Sequence, residues 1–303
     1  MNDWTIEYGI GETRAARRDA AGNVVEARVR RDGMTAAGTV VDAKLLAIAP
    51  RVTVEADGEQ FLLPRGASGI SEGAAMRVRV TREAIGTEPW KRALAVQTDE
   101  PVGHAPPLVD GIPGVIHGWD DVIEEARTGL VDFDGGQLRI EPTAAMTMID
   151  VDGWLVPDKL AQMAAWAAAR AIARLDLGGS IGIDFPSIEG KAARQAIGAI
   201  LDDYLPEGCE RTQMNGYGFV QVVRPKTRAS LVDLATNRAA FEARALLRRA
   251  EREVGAITLT AHPAVVAEIE ARPAWIDALA RKVGGAVTLK ADAALAMSGG
   301  YAA

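Results

Sequence analysis

The hydrophobic pattern changes period once, at PVGHAPPLVDGIPG, from Pro101 to Gly114, and that change limits the possible folds more than any other feature of the chain. Before it, apolar and polar residues alternate through WTIEYGI, NVVEARVRR, GTVVDAKLLAI, RVTVEADGEQFLLP and AMRVRVTREAIG, the period of half-buried strands. Asp57-Gly58 is a two-residue hairpin signal, and residues 35 to 98 have the strand count and size of a small OB-type barrel. The Pro- and Gly-rich stretch itself reads as a connector. After it, strand-like and helical segments alternate: the helix WDDVIEEARTGL with Asp120 and Asp121 in its first turn, a strand pair, AMTMIDVDG, a helix from Asp158 to Leu175, GGSIGIDF, a helix from Lys191 to Leu205, and GYGFVQVVRP. That order predicts an α/β layer with a parallel or mixed sheet. In the tail, the basic helix FEARALLRRAERE reads as self-paired and solvated, and one helix is expected around AVVAEIEARPAWIDALARKV.

With 48% hydrophobic and 25% charged residues among 303, the chain has material for two or three compact modules. The formal net charge of -7 excludes a global basic footprint, so any contact with nucleic acid must be local. Cys209 is the single cysteine, which rules out an internal disulfide or a multi-cysteine zinc site and points to a reducing cytoplasm. No basic leader or long apolar stretch is evident, so no membrane association is expected. The histidines at 104, 117 and 262 lack metal-ligand spacing. No serine elbow or cysteine-base pair suggests a protein nucleophile.

Two strand segments end in carboxylates, Asp150 in AMTMIDVDG and Asp184 in GGSIGIDF. Ligands of α/β layers gather outside the carboxyl ends of strands, where two convergent carboxylates suit a hard divalent cation. Alternation puts Asp152 on the same side as Asp150. The plainer alternative is that each aspartate caps the turn that follows it.

The segment IEPTAAMTMIDVDG, with AAARAIARLDLGGSIGIDF and KAARQAIGAILDDYL after it, resembles the catalytic half of the ribonuclease E/G family of bacterial endoribonucleases. The resemblance implies a mixed α/β and β multidomain protein. Residues 1–34 would pack with 101–130 as a remnant RNase H-like subdomain, and 35–100 would form an OB-type RNA-binding barrel. A DNase I-like α/β catalytic core would span 131–230, and a small αβ domain 231–303. It further implies magnesium held by Asp150 and Asp184, with Asp152 orienting the water shell, and hydrolysis of single-stranded RNA by metal-activated water.

The likeness has gaps. PVGHAPPLVDGIPG stands where the family carries its 5′-monophosphate sensor. VDGWLVPDK replaces the Asn-Ser and glycine-rich loop after the first aspartate. ATNRAAFEAR lacks the paired zinc-link cysteines, GYG at 216–218 replaces Arg-Phe-Gly, and Glu88 stands in place of a barrel lysine. No zinc is therefore expected, and the protein is expected as a monomer or as a dimer built without a zinc link. The alternative function is a catalytically degenerate homologue that binds RNA or a nuclease partner. A generic magnesium-dependent phosphatase would leave the barrel unexplained.

Other candidate RNA contacts are Phe61, at a barrel position where the family stacks a base, and Lys91 and Arg92, close in sequence to Glu88 where the family's barrel lysine would stand. For Phe61 the competing role is barrel core. Lys191 and Arg194, spaced i, i+3, and the basic strand end of Arg224, Lys226 and Arg228 are candidates for phosphates.

Overall fold

The computed structural model describes residues 3–86 and 91–303. An N-terminal sheet contains β1 (Trp4–Gly9), β2 (Glu12–Arg18) and β3 (Val24–Arg31). A closed barrel follows, built from β4 (Val40–Ala47), β5 (Thr53–Ala56), β6 (Glu59–Leu62), β7 (Ala75–Arg82) and β8 (Ala93–Gln97) in the order β4-β5-β6-β8-β7, consistent with an OB-type barrel. Asp57 and Gly58 close the β5–β6 hairpin with φ of 50° and 81°. Both central residues of a type I′ turn need positive φ, which Asp-Gly supplies at little steric cost.

The segment expected to be a plain connector does more than connect. β9 (Ile112–Pro113) adds a parallel edge strand to β1, and Leu108 and Val109 are buried against Ile6 and Ala15. A two-residue strand carries no periodicity, so only the meeting with β1 defines it.

Next come α1 (Trp119–Thr128), β10 (Leu130–Phe133), β11 (Gly136–Pro142), β12 (Thr147–Gly153), α2 (Pro157–Arg174), β13 (Gly179–Asp184), α3 (Lys191–Tyr204), β14 (Glu210–Arg211) and β15 (Phe219–Arg224). Their strands form one mixed sheet in the order β10-β11-β12-β13-β15-β14, in which β12 and β13 run parallel. Parallel neighbours need a long crossover, and α2 provides it. Its alanine-rich face (Ala161, Ala164, Ala165, Ala168) lets the helix sit close on Leu138, Ile149 and Ile181 in the largest core. Burial alternates along β12, with Thr147, Ile149 and Val151 inward and Asp150 and Asp152 outward. Helices therefore cover one face of the sheet, and the carboxylates lie on the other.

The tail holds α4 (Leu231–Thr236), α5 (Arg238–Ala250), β16 (Ile257–Ala261), α6 (Pro263–Glu270), α7 (Pro273–Val283), β17 (Val287–Ala291) and β18 (Tyr301–Ala302), with sheet order β17-β16-β18. Two expectations change here. The single helix becomes α6 and α7, because Pro273 cannot continue a helix and instead starts a new one at its first position. The basic helix α5 is buried and its arginines pair elsewhere in the chain. Arg248 reaches Glu7 (3.1 Å), Asp120 (3.0 Å) and the Ile116 carbonyl (2.8 Å). Arg244 and Arg272 both lie over the Trp275 ring, each 4.7 Å from its centre. No described helix is long and apolar enough to cross a membrane.

Glu125 on α1 pairs with Arg174 at 2.8 Å, yet its second oxygen is buried without a partner. Burial pushes its carboxyl up to about 7, against the pull of Arg174. The folded state thus keeps a proton that the unfolded chain releases near the ordinary value of 4.5, so stability falls as pH rises between those values. Glu125→Gln is expected to be more stable than the wild type at about pH 8, by roughly 1–3 kcal/mol, and to lose that advantage near pH 4. Urea unfolding at the two pH values checks this.

Candidate active site

The parallel register places Asp150 directly beside Asp184. Neighbouring strands are about 4.8 Å apart, and register partners project to the same side. Both residues are exposed, and among the described residues neither carboxylate accepts a hydrogen bond or forms a salt bridge. Like charges directly opposite one another destabilise a sheet. An unpaired pair at the ends of two central strands is therefore what a bound cation, rather than folding, would favour.

Asp152 lies two residues further along β12, about 6.6 Å on by strand geometry, opposite Gln137 on β11. It is also exposed. Among the described residues no three acidic, histidine or cysteine side chains gather closely enough to cage a metal. The set at this position is a carboxylate pair with a third carboxylate at a distance. Magnesium is commonly held by one or two carboxylates, with water and substrate oxygens completing its octahedron. The donor set fits that mode.

The strands beside the pair complete a row across the open face: Arg139, Asp150, Asp184 and Phe219. Arg139 is exposed and, among the described residues, has no ion-pair or hydrogen-bond partner. Sequence reasoning missed it. Its place between buried Leu138 and Ile140 marks it as outward-facing, but only the β11–β12 register sets it beside Asp150. The Phe219 ring lies over Gly182, where a Cβ would stand 2.8 Å from the ring Cζ and 2.9 Å from Met148 Sδ. Glycine at 182 makes room for an aromatic floor next to the carboxylates.

Turns at this end of the sheet, after β13 and before β15, are held by hydrogen bonds. Asn215 Oδ1 accepts from the Tyr217 and Phe219 amides (2.9 and 3.1 Å). Gly218 has φ +92°, and a Cβ there would lie 2.2 Å from the Phe185 carbonyl, so the turn packs against the residue after Asp184. Lys191 is exposed at the start of α3, whose first turn has no acidic residue and no side-chain cap. Arg194 is directed back to the Ile188 carbonyl at 3.0 Å, where it braces the β13–α3 loop.

The remaining candidates lie elsewhere. Phe61 is 0% exposed, packed inside the barrel opposite Val54 and Ala93, and has no face to offer a base. Of its two expected roles, base stacking and barrel core, the structure gives it the second: a closed five-strand barrel needs a large side chain in its interior. Arg224 pairs with Gly179, at the far end of β13 from Asp184. It binds Asp176 Oδ1 (3.1 Å) and the Leu177 carbonyl (2.9 Å), and Arg228 takes the other oxygen of Asp176 (3.0 Å). Lys226 is paired to Asp233 at 2.7 Å. This cluster, expected to hold RNA, ties strand and helix ends together, and the strand length separates it from the carboxylate pair. Lys91 and Arg92 are half-buried in the link before β8, and Glu88 lies outside the described residues. His262 caps α6, its Nδ1 accepting from the Ala264 amide. Cys209 is half-buried, and burial raises its thiol pKa, the reverse of an activated nucleophile.

Compared with known proteins, residues 116–227 match the family model described as the ribonuclease E/G family. The matched stretch runs from the turn before α1 to just past β15 and includes the whole six-stranded sheet with Asp150 and Asp184. No curated protein matches the chain.

Proposed function

Through residues 116–227 the chain belongs to the ribonuclease E/G family, and from that premise we propose that it is a magnesium-dependent endoribonuclease acting on single-stranded RNA in the cytoplasm. The observation that carries the reading is the unpaired Asp150–Asp184 register pair on the open face of the sheet. Asp150 and Asp184 would hold one magnesium ion, and Asp152 would accept hydrogen bonds from the waters around it. When bound, the ion would polarise the scissile phosphodiester and lower the pKa of water at neutral pH. Arg139, free of a carboxylate partner, orients a phosphate at the edge of the site. Lys191 at the start of α3 adds positive charge where helix amides already favour an anion. The walls formed by the 215–218 turn and the β13–α3 loop fix these groups relative to one another.

In the same reading, 35–100 is an OB-type RNA-binding barrel inserted in a remnant RNase H-like subdomain (1–34 with 101–130). Residues 131–230 form a DNase I-like core, and 231–303 a small domain. The protein would act as a monomer or as a dimer without a zinc link.

A second reading, a homologue that binds RNA or a nuclease partner without cutting, draws on the distance of Asp152 from the pair and on the short loop after it. Incubating the purified protein with labelled single-stranded RNA separates the two. Internal cleavage that appears with magnesium and stops with chelator is the expected result. RNA binding without cleavage across a magnesium titration would leave the second reading in its place.

A further inference from the structure

Two aromatic side chains stand in water at the end of the sheet that carries the carboxylate pair. Trp154 is 80% exposed and Tyr217 84%, the highest values for any aromatic among the described residues. Single exposed apolar residues are ordinary; the placement of these two is not. Trp154 follows the last residue of β12, four positions beyond Asp150, about 13 Å by strand geometry. Tyr217 sits two residues before Phe219, the register partner of Asp184. They occur at the same end of the sheet, Trp154 just past the end of β12 and Tyr217 in the turn that leads into β15, whose first residue, the half-buried Phe219, pairs with Asp184.

Neither is a loose side chain on a loose loop. The Trp154 amide donates to the Gly135 carbonyl (3.2 Å), and the neighbouring Leu155 packs against Gly135, where a Cβ would lie 2.1 Å from its Cδ1. Leu155 thus anchors the loop inward while Trp154 remains outside. The Tyr217 amide is held by Asn215, and its carbonyl accepts from Ser187 Oγ at 3.5 Å. With the backbone beneath each ring held, less chain has to be ordered when a flat partner binds there.

From these observations we infer that Trp154 and Tyr217 stack on bases of a single-stranded nucleic acid that crosses the open face. Its backbone lies along Arg139 and Lys191, and its phosphodiester comes to Asp150 and Asp184. The choice of occupant rests on complementarity. Aromatic planes suit bases, the two cations have no carboxylate partner among the described residues and suit phosphates, and the carboxylates suit a cation that a polyanion carries with it. Asp152, Asp150, Asp184 and Glu189 also face or border this end of the sheet, so binding strengthens with magnesium. Duplex RNA, whose bases are already stacked, binds more weakly. The inference rests on the proposed function for the role of the carboxylates, but the aromatic rim has its own readout.

Fluorescence anisotropy of a short labelled single-stranded RNA, in magnesium and in chelator, tests it with Trp154→Ala, Tyr217→Ala, the double variant, Trp154→Phe and a remote control, Tyr301→Ala. Each site alanine is expected to weaken binding roughly five-fold or more, the double variant by about the product, and Trp154→Phe and the control by less than about two-fold. Alanine variants that bind as the wild type does overturn the inference even if magnesium-dependent cleavage persists. A wild type that binds no RNA also overturns it and hands the rim to a protein partner. If the wild type never cleaves but loses binding in the alanine variants, the inference stands and the endoribonuclease reading falls.

Discussion

Asp184→Asn is expected to abolish magnesium-dependent cleavage of single-stranded RNA, by at least about a hundred-fold, and to leave the fold in place. The substitution keeps the shape of the side chain and removes one negative charge from the register pair. Asp184 is exposed and makes no hydrogen bond or salt bridge among the described residues, so its effect on stability should stay within about 0.5 kcal/mol. The sign of that small change is informative. Asp150 and Asp184 repel each other when no cation lies between them, and the amide removes the repulsion, so without magnesium the variant should melt at or slightly above the wild-type temperature. Magnesium should raise the melting temperature of the wild type by mass action and have little effect on the variant. Retained cleavage would remove Asp184 from the mechanism. Lost cleavage with an unchanged magnesium-induced shift would separate catalysis from metal binding at this residue.

Arg14→Met is the second large effect, and it falls on stability. The Arg14 side chain is 0% exposed and holds Glu7 (3.0 Å) and Glu12 (2.7 Å), with Gly9 leaving room for the guanidinium. Methionine fits the volume but takes from Glu12 its closest cation and leaves Glu7 with Arg248 (3.1 Å) and the Ile116 amide (2.8 Å) alone, and breaking a buried pair from one side costs about 3–5 kcal/mol. A domain stable by about 5–15 kcal/mol loses a large share of that. The pH profile identifies the cause. Burial alone would raise the Glu7 carboxyl, but the Ile116 amide, Arg248 and Arg14 together hold it below its ordinary value of 4.5. A depressed carboxyl contributes stability that is present above the ordinary value and is lost as pH falls through the lowered one. The wild type should show that acid loss in urea unfolding, and Arg14→Met should show less of it. Equal stability of the two proteins at neutral pH would mean that the network contributes no net folding energy.

Much of the architecture was legible because local chemistry and the final fold agree. Asp57-Gly58 specified its own turn, the alternation in TMIDVDG specified which face Asp150 and Asp152 take, and the alanines of α2 specified a helix that packs closely. Phe61 misled because a barrel residue near a turn reads the same whether it fills the core or meets a ligand, and burial alone separates the two. α5 misled for a related reason. Its arginines looked solvated because their partners, Glu7, Asp120 and Trp275, lie far away in the chain. Proline gave the helix break before α7 a visible cause, whereas β9 had none.

By itself the sequence determined the strand and helix periods, the two carboxylate-ended strands and the presence of a single cysteine, because each is written in residues near one another or in composition. Tertiary structure alone decided that Asp150 and Asp184 share a register and that Arg139 and Phe219 extend their row. It also set Trp154 and Tyr217 at the end of the sheet, and paired Arg224 and Arg228 with Asp176 and Lys226 with Asp233. Register and ion pairing join positions tens to hundreds of residues apart, and a hydrophobic pattern records which face a residue takes, not which neighbour it meets there.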